Sequence, residues 1–119
     1  MDINSNLPSL SEIDEILATL LFGSKARGKT LTRDTDLCAI APESKDRAAL
    51  LLKIFSKVHK PEYDIWIFEE LPLYMKVEII RDHKVIFCRD YIKLYEYFSK
   101  IMAIWRDQEI RIKTYSKLL

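Results

Sequence analysis

The sequence LLFGSKARGKTLTRDTDLCAI, residues 20–40, contains the features that decide the fold. Both glycines of the 119-residue chain, Gly23 and Gly28, lie here, directly after an apolar run. Glycine permits a positive φ angle and lets a ligand approach the backbone closely. Asp34 and Asp36 follow at alternate positions, where strand geometry turns both side chains to one face. We therefore expect a strand, a tight turn with a basic loop, and a second strand that carries paired carboxylates.

The composition is that of one globular domain over residues 1–119, with residues 1–8 as a flexible start. A net charge of +1 provides no overall attraction to nucleic acid or a membrane, so we expect neither as a partner. No apolar run approaches the roughly 18 residues of a membrane span, and the N-terminus lacks a signal-peptide pattern. Cys38 and Cys88 lie far apart in apolar runs, which favours buried free thiols and a cytoplasmic location.

Hydrophobic periodicity predicts alternating strands and helices after the loop. The predicted strands are 36–41, 62–68 and 84–88, and the predicted helices are 43–60 and 73–81. In the helix 43–60, one apolar stripe is expected from Ala48, Leu51, Leu52, Phe55 and Val58. In the strand 62–68, alternation places Asp64 and Trp66 on the face opposite Ile65. Trp66 is interpreted there as a core or interface residue.

Residues 90–119 predict one long helix, because they contain no helix breaker. Its apolar seam follows heptad spacing and is interrupted only by Gln108. The seam consists of Leu94, Phe98, Ile101, Trp105, Gln108, Ile112, Tyr115 and Leu119. A helix of about 28 residues is about 42 Å long, longer than one face of so small a domain. We therefore expect its far end to contact another chain, either a partner or a second copy.

Residues 23–30, GSKARGKT, also satisfy the P-loop pattern G-x-x-x-x-G-K-[ST] after an apolar strand. A P-loop requires a helix that begins at Lys29-Thr30, with its N-terminus at the phosphates. Only Leu31, Thr32 and Arg33 separate Thr30 from the carboxylate pair, which leaves no space for that helix. A nucleotide-binding P-loop protein remains an alternative at this point, although the spacing disfavours it.

The same stretch resembles the signature of the minimal nucleotidyltransferase family of the DNA polymerase beta superfamily. That signature reads G-S-x-A-R-G, five residues, then D-x-D before apolar residues. It is matched here by Gly23, Ser24, Ala26, Arg27, Gly28, Asp34, Asp36 and Leu37. Asp64, on a later predicted strand, occupies the place of the family's third carboxylate. Arg33 departs from the family pattern, which often has serine there, but this change removes no ligand.

The resemblance implies a catalytic site in which Asp34, Asp36 and Asp64 hold two Mg²⁺ ions and Asp64 also accepts the proton of the attacking hydroxyl. Oxygen ligands suit Mg²⁺, and close carboxylates favour a cation between them. The Gly23, Ser24 and Gly28 turn, with the charge of Arg27, would bind the triphosphate of ATP or another nucleoside triphosphate.

The resemblance further implies an α/β (α+β) fold of polymerase beta type. We expect a small mixed sheet that bears the carboxylates on one face, with the helices on the other face and a long C-terminal helix. Members of this size resemble the antitoxin of a toxin–antitoxin pair, whose partner is a HEPN ribonuclease toxin that is silenced by tyrosine modification. Two alternatives stay open, namely a catalytically idle antitoxin that acts by binding alone and a nucleotidyltransferase for a small molecule. The sequence leaves open the acceptor, the base, the number of transfers and the oligomeric state.

Overall fold

A computed structural model describes residues 8–23, 35–58 and 62–118 of the chain. The flexible start expected at residues 1–8 lies outside this part of the chain, apart from Pro8. Residues 24–34, which lie between the first two strands in the sequence, also lie outside it.

Four strands form a mixed sheet. They are β1 (Ala18–Phe22), β2 (Thr35–Ile40), β3 (Tyr63–Ile67) and β4 (Lys84–Cys88). The spatial order is β3-β2-β1-β4, in which β1 runs antiparallel to both β2 and β4, whereas β2 and β3 are parallel. Parallel neighbours need a crossover connection. The crossover between β2 and β3 contains the helix α1 (Arg47–Lys57).

The other helices agree closely with the sequence predictions. The helix α2 (Leu73–Arg81) has the predicted bounds, and α3 (Tyr91–Leu118) begins one residue later than predicted and continues to the last described residue. The helix α1 begins later than the predicted residue 43, because the Asp46 side chain caps it. The Asp46 carboxylate accepts a hydrogen bond from the Ala49 N–H at 3.1 Å, which satisfies one backbone donor of the first turn.

Apolar side chains pack on both faces of the sheet. The first core lies between the sheet and the helices α2 and α3, and contains Ala18, Leu20, Cys38, Ile40, Phe68, Leu71, Ile79, Leu94, Phe98 and Ile101. On the opposite face, Ala39 and Ile67 pack with Leu50 and Ile54 of α1.

The predicted α/β fold class is therefore confirmed, but the helices do not all lie on one face as expected. The reason is the apolar sequence of the two central strands. Successive residues such as Leu20 and Leu21 in β1 point to opposite faces, and both are fully buried. Each face therefore needs its own cover, which α1 provides on one side and α2 with α3 on the other.

The stripe predicted for α1 is correct only in part, since Leu51 and Val58 pack against the core on this face and the other members do not. Leu50 and Ile54 are the residues that this helix buries, whereas Leu52 is 71% exposed and Phe55 is 52% exposed. Leu50, Leu51 and Leu52 are consecutive, so α1 carries apolar side chains around much of its circumference. The crossover between parallel strands fixes which side faces the sheet, and periodicity alone chose a different side.

Both cysteines are free thiols, as predicted. Cys38 lies fully buried in the first core, while Cys88 at the end of β4 is half-buried. Desolvation by burial raises the pKa of both thiols, so each remains protonated at neutral pH. Neither cysteine therefore has the depressed pKa of a reactive nucleophile.

A polar link joins α3 to the end of β2. The Tyr97 hydroxyl donates a hydrogen bond to Oε2 of Glu69 at 2.8 Å. Oε1 of Glu69 accepts from the backbone N–H of Ala41 at 3.0 Å. Glu69 belongs to a single 3-10 turn (Phe68–Glu70) that follows β3, so this carboxylate holds the sheet, the turn and α3 together.

The helix α3 extends well beyond the surface that it covers. Its 28 residues correspond to about 42 Å, in a molecule with principal extents of 51 × 36 × 25 Å. Leu94, Phe98 and Ile101 are buried, but Ile112 is 65% exposed and Tyr115 is 68% exposed. Within the described ranges, no helix combines the length and apolar character needed to cross a membrane.

The burial pattern of α1 leads to a direct test. We expect Leu50→Ala to lower the free energy of unfolding by about 2–5 kcal/mol, because it opens a cavity in a packed core. Leu52→Ala is the matched control on the same helix and should change that free energy by less than about 0.5 kcal/mol. Urea denaturation followed by circular dichroism measures both. A larger effect at Leu52 than at Leu50 would contradict this orientation of α1.

Candidate active site

The pairing of β2 with β3 sets two predicted metal ligands side by side. In the parallel register of these strands, Asp36 lies opposite Asp64. Register partners on neighbouring strands project to the same face of a sheet. Asp36 is half-buried and Asp64 is exposed, so the pair lies at the boundary between the protein and the solvent.

A backbone hydrogen bond fixes this register where the two strands begin. The Thr35 N–H donates to the Glu62 carbonyl at 2.8 Å. Thr35 itself is almost fully buried and turns to the face opposite Asp36. The carboxylate of Asp36 therefore extends from a strand whose start is anchored, which limits how far it can move away from Asp64.

Gly23 follows β1 and packs directly against the Asp36 side chain. Its φ angle is +78°, a conformation that residues with a Cβ adopt only with strain. A Cβ added there would lie 2.7 Å from Oδ2 of Asp36, closer than such atoms approach. Gly23 is thus required both for the turn and for the close approach of the carboxylate. This is the first described residue of the predicted phosphate-binding turn.

Trp66 also contacts Asp36, a contact that the sequence analysis missed. Its indole Nε1–H donates to Oδ1 of Asp36 at an N···O distance of 3.5 Å. Trp66 lies two residues beyond Asp64 on β3, and its side chain is 41% exposed. Alternation along β3 did place Trp66 on the same face as Asp64, but it does not contain the register with β2 that brings the indole to Asp36.

The other predicted site residues lie outside the described residues. They are Ser24, Arg27, Gly28 and Asp34. In residues 8–23, 35–58 and 62–118, no three His, Cys, Asp or Glu side chains form a metal-binding group. The predicted triad cannot be assembled within these ranges, since Asp34 is one of its members. Roles for these four residues therefore remain predictions.

A separate surface cavity of about 310 Å³ lies away from the carboxylates. Leu17, which precedes β1, and Pro42, which follows β2, line it together with Arg89, Lys93 and Tyr97. These residues are at the end of β1 and β2 opposite Gly23 and Asp36. Because none of the described site residues, Gly23, Asp36 and Asp64, lines this cavity, we do not include it in the candidate active site.

Comparison with known proteins agrees with this geometry. The chain matches the family described as Polymerase beta, Nucleotidyltransferase over residues 7–92. A protein of Methanocaldococcus jannaschii, named as a candidate protein adenylyltransferase, is 43% identical over 102 residues, which cover 85% of this chain and 79% of that protein. The chain belongs to the polymerase beta nucleotidyltransferase family. Membership of this family, shown by the match over residues 7–92 and by the relative at 43% identity, rules out the P-loop alternative.

Solved structures share the fold at low sequence identity. A chain of a toxin–antitoxin complex with AMP-PNP superposes with a TM-score of 0.65 at 18% identity, covering 91% of this chain and 90% of that one. A chain from the complex of tri-AMPylated Shewanella oneidensis HEPN toxin with MNT antitoxin has a TM-score of 0.61 at 14% identity, with coverages of 90% and 85%. At these identities, the likeness establishes the fold.

The packing of Gly23 against Asp36 generates a second prediction. We expect Gly23→Ala to destabilise the protein by about 1–2 kcal/mol from the positive φ angle, with a further loss from the clash with Oδ2. In an Asp36→Ala background, the clash is absent and Gly23→Ala should cost less. A double-mutant cycle of unfolding free energies measures this coupling. Strict additivity would show that the two residues do not contact each other.

Proposed function

We propose that this protein transfers AMP from ATP to a hydroxyl group on a partner protein, and that the partner is a HEPN-type toxin silenced by the modification. The observation that carries the proposal is the register pairing of Asp36 with Asp64 beside the tight turn at Gly23. Family membership supports nucleotidyl transfer as the reaction class. A cytoplasmic location belongs to the same proposal.

Asp36 and Asp64, with Asp34, are the residues that would hold Mg²⁺. Two carboxylates in register on adjacent strands offer the oxygen ligands that this ion prefers. Two negative charges on one face of neighbouring strands favour a cation between them, so the arrangement fits a metal better than it fits a structural role. When bound, Mg²⁺ would neutralise the negative charge that develops on the phosphate during transfer.

The remaining roles belong to the residues of this chain. The exposed Asp64 carboxylate is accessible to an acceptor hydroxyl and would take its proton as the oxygen attacks the α-phosphate. The backbone amides of the turn that begins at Gly23, together with Ser24 and Gly28, would bind the departing phosphates. Arg27 would add a positive charge to the same group.

The choice of AMP and of a toxin partner draws on the relatives. A relative at 43% identity is named for protein adenylyl transfer, which supports ATP as donor and a protein as acceptor. Two of the solved structures that share this fold come from toxin–antitoxin complexes, one with AMP-PNP and one with an AMPylated HEPN toxin. These observations support an antitoxin that acts by modification rather than by binding alone.

Transfer of AMP provides the third prediction. With Mg²⁺ and ATP labelled at the α-phosphate, we expect covalent label on a HEPN-domain protein expressed together with this chain. Asp36→Asn and Asp64→Asn should each lower labelling by about 100-fold or more, since each removes a charge from the metal and proton-transfer groups. Leu52→Ala, on an exposed face of α1, serves as the folded control.

The same experiment distinguishes the catalytically idle antitoxin. If the Asp36→Asn protein still neutralises toxin activity in cells while labelling is lost, binding alone is sufficient. Undiminished labelling by both aspartate variants would contradict the catalytic assignment itself.

The exposed end of α3 is the surface that we assign to a partner, either the toxin or a second copy of this chain. Ile110, Ile112, Tyr115 and Leu118 are each more than 60% exposed there. Ile112, Tyr115 and Leu118 recur every three residues and lie on one side of the helix, and exposed apolar residues grouped in this way on a protruding helix are typical of an interaction site. Burial of each aliphatic side chain would contribute roughly 1.5–3 kcal/mol.

Truncation tests this assignment and is the fourth prediction. Deletion of residues 111–119 should leave the unfolding temperature of the remaining chain nearly unchanged, because the described part of this segment is exposed. The mass measured by light scattering should fall, either for the protein alone or for its mixture with a HEPN partner. Unchanged masses together with a sharp loss of thermal stability would instead assign the segment to the protein's own core.

A further inference from the structure

We propose that Trp66 is a positioning residue for the carboxylate of Asp36, and that its indole N–H increases the affinity of the site for a divalent cation. This inference rests on the proposed function, since it requires Asp36 to be a metal ligand. It assigns a role to a side chain that the carboxylate pattern alone does not include.

The two oxygens of the Asp36 carboxylate have different neighbours. Oδ2 lies next to the backbone of Gly23, so close that a Cβ would meet it at 2.7 Å. Oδ1 is the acceptor for the indole N–H of Trp66. A contact at each oxygen restricts rotation of the carboxylate about its terminal torsion, which is otherwise broad for aspartate. The carboxylate is thus oriented before a cation arrives.

A role in core packing alone does not explain where Trp66 lies in the sheet. Trp66 lies on β3, an edge strand, and the residue is 41% exposed to solvent. A tryptophan that served only the core would be expected to bury its ring more fully. Instead the ring extends along the face that carries Asp36 and Asp64, with its one polar atom directed at a carboxylate oxygen.

Hydrogen bonds from outer residues to metal ligands orient those ligands, and their loss typically lowers metal affinity or activity by about 10–100-fold. The Trp66 contact is long at 3.5 Å, and its acceptor is partly solvated. Long contacts in a metal-free site can shorten when the site is loaded. We therefore expect an effect on cation affinity at or below the bottom of this range, about 3–10-fold.

Two tryptophans in this chain provide a matched pair of variants. Trp66→Phe removes the N–H that contacts Asp36 and keeps an aromatic ring. Trp105→Phe is the same chemical change on α3, where the indole nitrogen is buried and has no hydrogen-bond partner among the described residues. Trp66→Leu removes both the ring and the N–H. Comparison of Trp66→Leu with Trp66→Phe therefore distinguishes the effect of the ring from the effect of the N–H.

The experiment measures Mn²⁺ binding to each purified, full-length protein by electron paramagnetic resonance, without nucleotide. We expect Trp66→Phe and Trp66→Leu to weaken Mn²⁺ binding similarly, by about 3–10-fold, and Trp105→Phe to leave it unchanged. In AMP transfer, the Mn²⁺ concentration for half-maximal rate should rise for Trp66→Phe, while the rate at saturating Mn²⁺ stays close to that of the unmodified protein.

Fluorescence provides an independent measurement of proximity. In Trp105→Phe, Trp66 is the remaining tryptophan, and paramagnetic Mn²⁺ should quench its emission with the same midpoint as the resonance titration. In Trp66→Phe, the emission of Trp105 should respond much less. Absence of quenching in Trp105→Phe would overturn the assignment of Trp66 to this site.

Asp36→Asn distinguishes failure of this inference from failure of the proposed function. If Asp36→Asn abolishes Mn²⁺ binding while Trp66→Phe binds as Trp105→Phe does, the metal site stands and the role of Trp66 is wrong. If Trp66→Leu is weakened and Trp66→Phe is not, the ring acts by packing, and the hydrogen-bond proposal is again wrong. If Asp36→Asn binds Mn²⁺ normally, the proposed metal site itself is wrong.

Discussion

The parallel pairing of β2 with β3 is the constraint on which the rest of this structure depends. It sets Asp36 opposite Asp64, and the hydrogen bond from the Thr35 N–H to the Glu62 carbonyl anchors the two strands where they begin. A slip by one residue would turn the Asp64 side chain to the other face of the sheet, where α1 packs. The crossover through α1 makes the strands parallel, so Leu50 and Ile54, which bind α1 to the sheet, also protect the site geometry.

This pairing works against stability. Two carboxylates on one face of neighbouring strands are expected to repel each other, and a positive φ angle at Gly23 adds strain where the chain must pass close to Asp36. The apolar cores on both faces of β1 and β2 offset this loss of stability, since both strands are buried almost throughout. The costly features lie together at one end of the strands, as is typical of a functional site rather than a structural one.

Much of the fold could be predicted from the sequence because the local signals were strong. Alternation in β3 correctly separated Asp64 and Trp66 from Ile65, and Pro72 with a short apolar period gave the bounds of α2. The orientation of α1 could not be predicted, since its three consecutive leucines support more than one apolar face. Which face is buried depends on the crossover, a tertiary constraint that periodicity does not contain.

The motif predicted that Asp36 and Asp64 act together, and the register of β2 and β3 does place them side by side. Their roles as metal ligands stay predictions. The contact of Trp66 with Asp36 depends on strand register across β2 and β3, and a sequence read one strand at a time does not provide that register. The roles of Ser24, Arg27, Gly28 and Asp34 rest on the motif alone.

The central claim is that Asp36 and Asp64 form one metal site that serves nucleotide transfer. Its most direct test is a crystal structure of the full-length protein with Mn²⁺ and a non-hydrolysable ATP analogue, with data collected at the manganese absorption edge. We predict an anomalous peak at coordination distance, about 2.0–2.3 Å, from carboxylate oxygens of both aspartates, with the phosphates at the turn that begins at Gly23. Nucleotide bound elsewhere, with no anomalous density between these two carboxylates, would contradict the account.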